Sequence, residues 1–316
     1  MGKDYVIGID LGGTKISGAF SDYEGNILSK YTIPTNAFEG DQSVLQRIIS
    51  VIEKVVIESG KDIEDVNAIG IGSPGPLDIK EGKIIETANL PFKNFKLVEP
   101  IEKRFNVKTY LDNDANVAAI GEFMMGAGKG TNNIVYITVS TGIGGGAIIN
   151  GKIYRGNTYN ALEIGHTTVL PDGPKCKCGN YGCAEVMASG TAIGRRGTEA
   201  VMKGLKTSLS QYEKVTSYEV FQEAKKGDKA AQDVLNTALP YLGICVANVI
   251  TSFDPEMVVI GGGVSKAGDI VFEKIQTEVD KRCFGSMANS CRIVPAGLGT
   301  DAGVIGAVAL AIMESR

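Results

Sequence analysis

A single histidine and three closely spaced cysteines are the most specific chemical signal in the sequence. His166 is the only histidine in the 316 residues, and it precedes Cys176, Cys178 and Cys183. One imidazole and three thiolates complete a tetrahedral set for zinc, and four protein ligands leave no open position for an activated water. The pattern predicts one structural zinc ion on His166, Cys176, Cys178 and Cys183. Two acids flank it: Glu163 stands three residues before His166, and Glu185 two residues after Cys183. Folding around the metal would gather Glu163, His166 and Glu185 into a pocket lined with acceptors. Such a lining suits a polyhydroxylated ligand, because each buried hydroxyl needs a partner.

A second signal is a repeated strand, glycine bend and strand, at Tyr5 to Phe20 and again at Ile134 to Ile149. In the first copy, Asp10-Leu-Gly12-Gly13-Thr14-Lys15 offers small residues whose amides can approach phosphate oxygens. Asp10 is then available to a magnesium ion, and Thr14 or Lys15 to a phosphate. The segment has neither the GxxxxGK[ST] nor the GxGxxG spacing, so the familiar nucleotide loops do not describe it. The second copy, Ser140 to Gly146, adds hydroxyls, with Thr141 and Gly142 at the bend. A fourth carboxylate, Asp114, follows Asn113 at the end of an apolar run.

These residues need elements to hold them. Gln42 to Ser59 places Val44, Leu45, Ile48, Ile49, Ile52, Val55 and Val56 at helical spacing. Asn67 to Gly72 reads as a strand delivering Ser73-Pro74-Gly75-Pro76, and Val107 to Leu111 as one delivering Asp112-Asn113-Asp114. Tyr218 to Leu239 reads as a charged helix, Leu242 to Ser252 as an apolar one, and Met257 to Ile260 as a strand entering Gly261-Gly262-Gly263. Alternating strands and helices define an α/β class. The duplication predicts two α/β halves with a cleft between them: residues 1–118 with a returning C-terminal helix at about 302–316, and residues 119–301 carrying the zinc cluster. The hairpins at Asp10 and Gly142 have no sequence tie to the cysteine cluster, so the nucleotide side is expected to suffer less than the sugar side from loss of the metal.

Composition narrows the partners. With 32 basic and 36 acidic residues the formal charge is -4, and no Lys or Arg stripe tracks a nucleic-acid backbone. The longest apolar stretch, Ala302 to Met313, is shorter than the ~20 residues a membrane span requires. No signal peptide precedes the Tyr5 strand, so a cytoplasmic protein is expected. Cys245 falls in an apolar helix as core; Cys283 and Cys291 suggest no role.

Taken together these segments resemble the ROK sugar kinases (repressors, open reading frames, kinases), and among them the bacterial glucokinases. The resemblance spans nearly the whole chain. It rests on Asp10 to Lys15, Ser73 to Pro76, Asn89-Leu-Pro91, Asn113-Asp114, Thr141 to Gly146, Glu163-Ile-Gly-His166, the three cysteines with Glu185, and Ile260-Gly-Gly262-Gly263. One departure is Leu162, where the family commonly has glycine.

The resemblance implies a duplicated actin-like ATPase fold of the ribonuclease H-like, hexokinase type, ATP with Mg2+ as donor, and a homodimer. It implies Asp114 as catalytic base, and Gly75, Asn89, Asn113, Glu163, His166 and Glu185 as sugar contacts. Asp10, Gly12, Gly13, Thr14, Lys15, Thr141, Gly142, Gly262 and Gly263 would then hold the nucleotide. The reaction implied is phosphorylation of a hexose, with glucose favoured over mannose, fructose or an N-acetylhexosamine. The family also contains sugar-sensing repressors with an N-terminal helix-turn-helix; the strand starting at Tyr5 argues against one here. An actin-like ATPase that switches a partner would not need the hydroxyl-binding residues around the cysteines.

Overall fold

The computed structural model describes residues 3–87 and 90–316. Its strands are β1 (Tyr5–Leu11), β2 (Lys15–Asp22), β3 (Ile27–Pro34), β4 (Val66–Ser73), β5 (Leu77–Asp78), β6 (Lys83–Glu86), β7 (Lys93–Lys96), β8 (Lys108–Asn113), β9 (Ile134–Val139), β10 (Ile143–Ile149), β11 (Lys152–Ile153), β12 (Met257–Gly261) and β13 (Arg292–Pro295). The helices are α1 (Asp41–Ser59), α2 (Val98–Phe105), α3 (Asp114–Met125), α4 (Ala184–Ala188), α5 (Gly190–Met202), α6 (Ser217–Lys225), α7 (Lys229–Phe253), α8 (Asp269–Arg282), α9 (Gly285–Ser290) and α10 (Ala302–Ser315).

The predicted duplication is visible in the strand order. One five-stranded sheet runs β3-β2-β1-β4-β8 and the other β11-β10-β9-β12-β13, which is one order written twice in chain sequence. In the first, β1 pairs antiparallel with β2 and parallel with β4. In the second, β12 pairs parallel with both β9 and β13. This is the duplicated α/β architecture of the actin-like type.

The chain divides into two compact units: residues 1–130, 146–161 and 297–316 form the first, and residues 131–145 and 162–296 the second. This differs from the expected division at 118. All of α3 stays with the first unit, the segment 146–161 joins it, and its last segment begins at 297 rather than 302.

The pleat explains the core of the first unit. On β1, Ile7 and Ile9 join the cluster containing Val44, Ile48 and Ile52 of α1, while Val6 joins Val304 and Val308 of α10, because successive side chains leave opposite faces. Glycines set how closely α10 lies on the sheet. A methyl on Gly8 would come 2.3 Å from the Val308 nitrogen, and one on Gly70 would come 2.1 Å from the Ala307 oxygen.

Two expectations about helices are corrected. The anticipated pair at 218–239 and 242–252 is instead α6 followed by the 25-residue α7, which continues through Pro240. Proline removes one ladder donor, yet Ala238, Leu239, Leu242 and Val246 on either side are all buried, so core packing holds the helix together. The longest apolar element is therefore α7 rather than the 302–313 stretch. Among the described residues it is the one helix long and apolar enough to cross a membrane, and 61% of its most apolar window is buried inside the protein, as in a core helix.

Candidate functional site

In the first unit, strand register brings the predicted residues together. Asp10 on β1 pairs with Gly72 on β4, which pairs with Asp112 on β8, and Ser73 pairs with Asn113. Three parallel strands thus deliver Asp10, the Ser73–Gly75 loop and Asn113-Asp114 at their carboxyl ends, the edge where open α/β sheets bind ligands. A methyl on Gly75 would lie 3.3 Å from Asn113 Nδ2. The Gly75–Pro76 peptide is cis. Asn113 caps α3, its Oδ1 accepting from the Ala115 amide at 3.0 Å, which leaves its NH2 group for other partners. Asp114 is exposed in the first turn of that helix. Asn89 lies outside the described residues.

The first glycine hairpin is braced locally. The Gly12 amide donates to the Lys15 carbonyl at 3.0 Å, and the Thr35 amide donates to the Thr14 carbonyl at 2.9 Å. The buried Thr35 hydroxyl donates to the Gly12 carbonyl at 2.6 Å. Burial pushes the Asp10 carboxyl above its ordinary range, with Lys15 pulling the other way. A divalent cation would offset that burial. Gly303 in the first turn of α10 is a residue that sequence reading missed: a methyl there would come 2.5 Å from the Asp10 carboxyl.

In the second unit the four expected metal ligands converge, their ligand atoms all within 4.8 Å of one another. His166 Nδ1 is 3.6 Å from Cys176 Sγ, and Cys178 Sγ is 3.7 Å from Cys183 Sγ. With zinc–sulfur bonds of ~2.3 Å the edges of a sulfur tetrahedron measure about 3.8 Å, so these separations fit a zinc ion. The loop turns at Gly179, whose φ of 97° favours glycine. Glu163 precedes a short 3-10 turn, Ile164–His166, with its carbonyl accepting the His166 amide at 3.0 Å. Leu162, the departure from the family pattern, keeps a left-handed backbone at φ 66° with its side chain buried.

The second glycine hairpin is tied to the neighbourhood of the cluster. Glu185 Oε2 accepts the Ile143 amide at 3.1 Å, and a methyl on Gly142 would come 2.3 Å from that same oxygen. The acid two residues past Cys183 therefore grips the second hairpin. Gly165 is also packed there, since a methyl on it would meet the Ile143 carbonyl at 2.0 Å. This tie is a long-range contact with no local trace in the sequence.

Beside this hairpin lies a cavity of about 500 Å³, lined by Ser140, Thr141, Gly263 and Val264, by Gly190, Thr191, Gly194 and Arg195 of α5, and by Lys214 to Ser217. The register Gly261–Thr138 places the ends of β12 and β9 side by side at its edge. Gly262 takes φ 86°, and a methyl on it would meet the Val139 carbonyl at 2.3 Å. The α5 and Lys214–Ser217 walls were not anticipated; a glycine spacing at 190, 194 and 197 was the available signal.

A duplicated α/β fold whose glycine hairpins and strand-end carboxylates face ligand chemistry defines a phosphoryl-transfer type of protein, here with a Cys3His centre. The sequence pattern of the ROK family matches residues 6–314, and the chain belongs to that family. It is 38% identical over 311 residues to a glucokinase of Halalkalibacterium halodurans, covering 97% of this chain and 94% of that protein. It is similar in structure to a ROK hexokinase from Thermus thermophilus, with a TM-score of 0.85, 34% identity and 98% of both chains covered. A ROK family glucokinase from Streptomyces griseus, solved with glucose and AMPPNP, aligns with a TM-score of 0.79 and 32% identity over 98% of this chain and 99% of that one.

Proposed function

We propose that the chain is an ATP-dependent hexose kinase that converts glucose to glucose 6-phosphate, with Asp114 as the base. The observation that carries the reading is the register that sets Asp10, the Ser73–Gly75 loop and Asn113-Asp114 at adjacent strand ends. A kinase needs these three functions: a carboxylate for the metal-nucleotide, backbone for the sugar, and an acid for the attacking hydroxyl. The glucokinase relatives and the complex of one with glucose and AMPPNP support the same choice of substrates.

The chemistry follows from phosphoryl transfer being mainly positioning and charge stabilisation. Magnesium, held near Asp10, would neutralise phosphate charge. Amides of the two glycine hairpins hold phosphate oxygens. Asp114 orients the sugar hydroxyl and takes its proton as the oxygen bonds phosphorus, when that proton has become acidic. Asn113, Glu163, His166 and Glu185 accept and donate to the remaining hydroxyls. Zinc on His166, Cys176, Cys178 and Cys183 would supply no chemistry but hold the Glu163–His166 turn and Glu185 in place. With Nδ1 toward the thiolates, Nε2 is left for a sugar hydroxyl. The proposed working form is a homodimer in the cytoplasm, which light scattering on the purified protein would check.

A coupled ADP-release assay over glucose, mannose, fructose, N-acetylglucosamine and N-acetylmannosamine tests the substrate, with glucose expected to give the highest kcat/KM. Asp114→Asn should bind glucose normally while kcat falls by about 10²- to 10⁴-fold. Turnover at the parental rate would overturn the base.

A further inference from the structure

Asp112 is completely buried, and both of its oxygens are committed. Oδ1 accepts the Asn113 amide at 2.7 Å and Asn116 Nδ2 at 2.9 Å. Oδ2 accepts Arg155 Nε at 2.7 Å. Arg155 uses a different nitrogen, Nη2, on Glu314 Oε1 at 2.6 Å, in the last turn of α10. One guanidinium therefore spans the end of β8 and the end of α10, a geometry that its fixed fork of donors permits. Its own backbone is fixed as well: the Arg155 carbonyl accepts the Ala161 amide at 3.1 Å, closing a loop in which Gly156 and Tyr159 take φ of 72° and 61°.

We propose that Arg155 is a positioning residue for phosphoryl transfer, acting through Asp112 to hold the β8–α3 corner that presents Asn113 and Asp114. The inference rests on the reading of Asp114 as base. Asp112 bonds the residues on both sides of Asp114, namely the Asn113 amide and the Asn116 side chain, so any movement of its carboxylate is passed to the acid between them. Among the described residues, the Arg155 guanidinium is the group that meets the second carboxylate oxygen. A buried carboxylate that loses its cation is costly to keep in place; it would rotate or draw in water, and the corner would move with it. Displacements on the order of 1 Å at a reacting group reduce rate by about 10²-fold. Arg155 also lies seven residues ahead of Leu162, so the same anchor fixes the start of the segment that leads to Glu163.

The test compares Arg155→Met, Arg155→Lys, Asp112→Asn/Arg155→Met, Asp114→Asn and Asp114→Asn/Arg155→Met, each by melting temperature, KM for glucose and ATP, and kcat per folded molecule. Arg155→Met should lower kcat by about 10- to 100-fold with KM for ATP within about twofold of the parent. Arg155→Lys should recover part of the loss, since one ammonium can serve Asp112 but not Glu314 as well. If Arg155→Met does not fold, Asp112→Asn/Arg155→Met removes the unpaired carboxylate; it should regain melting temperature yet keep the reduced kcat. A parental kcat per folded molecule in either variant overturns the positioning role. Adding Arg155→Met to Asp114→Asn should cost nothing further, and a fully additive loss would also overturn it. Parental turnover in Asp114→Asn would instead sink the base reading, an outcome read independently of the Arg155 variants.

Discussion

The two glycine hairpins stand on sheets of identical strand order, yet they are held by different means. In the first, Asp10 on β1 supplies a carboxylate from the strand itself, and Thr35, at the end of the adjoining β3, closes the bend from below. In the second, the matching position on β9 is Thr138, paired with Gly261 as Asp10 is paired with Gly72. Its carboxylate arrives from Glu185, two residues past Cys183 and in the first turn of α4. Duplication preserved the backbone device, while one copy kept local support and the other came to lean on a metal-ligand cluster. The first hairpin should therefore be indifferent to zinc and the second should not.

Removing a ligand of the proposed zinc ion is the largest perturbation that separates the two. Cys178→Ser should lose about one equivalent of zinc and weaken glucose binding by about 10- to 100-fold, the range found when groups supporting a metal site are disturbed. Because Glu185 also grips Ile143, nucleotide affinity should fall with it. Zinc content by elemental analysis and calorimetric titrations with glucose and AMPPNP provide the check. Normal nucleotide affinity in the zinc-free variant would break the comparison at its central point.

The reciprocal change is Gly303→Ala, which drives a methyl into the Asp10 carboxyl. Overpacking of this kind costs about 1–3 kcal/mol, and here it should appear as a raised KM for MgATP with zinc content and glucose affinity intact. A loss of glucose affinity with normal ATP kinetics would move Asp10 from the nucleotide to the sugar. Thr35→Val is milder. It removes the hydroxyl under Gly12, costs about 1 kcal/mol, and should lower the melting temperature and raise KM for ATP a few-fold.

The smallest effect serves as a control in the second unit, away from the glycine bend. The Lys226 ammonium, with the Ser208 and Tyr212 hydroxyls, holds Glu223 down to about 2 from an ordinary 4.5. A depressed carboxylate contributes stability that is fully present above 4.5 and is lost as pH falls toward about 2. Glu223→Gln should flatten the decline of melting temperature in that window and leave both KM values at pH 7 unchanged. An unchanged acid limb would remove Glu223 from the account of the second unit's stability.

Much of this was legible in the sequence where chemistry is local. The cysteine spacing anticipated the convergence of His166 with the three thiols, the glycine bends the hairpins, and the apolar runs before Ser73 and Asp112 strands within one or two residues of those observed. What escaped was carried by contacts between distant segments. Gly303 beside Asp10, Glu185 on Ile143, and Arg155 between Asp112 and Glu314 leave no periodic or compositional mark. The break expected between residues 239 and 242 does not occur, since burial along α7 outweighs the local rule by which a proline such as Pro240 ends a helix. The domain boundary moved for a related reason, because α3 packs with α10 and the segment 146–161 is held to the first unit by Arg155 through Asp112 and Glu314.

The seating of α10 also bears on how the protein is made. All five strands of the first sheet have been synthesised by residue 113, but the helix that covers Val6, Ala19 and Ala68 spans residues 302–315. Every residue of the second unit leaves the ribosome in between. The first unit to emerge is thus the last to be finished, and until the final turn is released its sheet presents to the cell a bare apolar face, floored by Gly8 and Gly70, on which a chaperone could act.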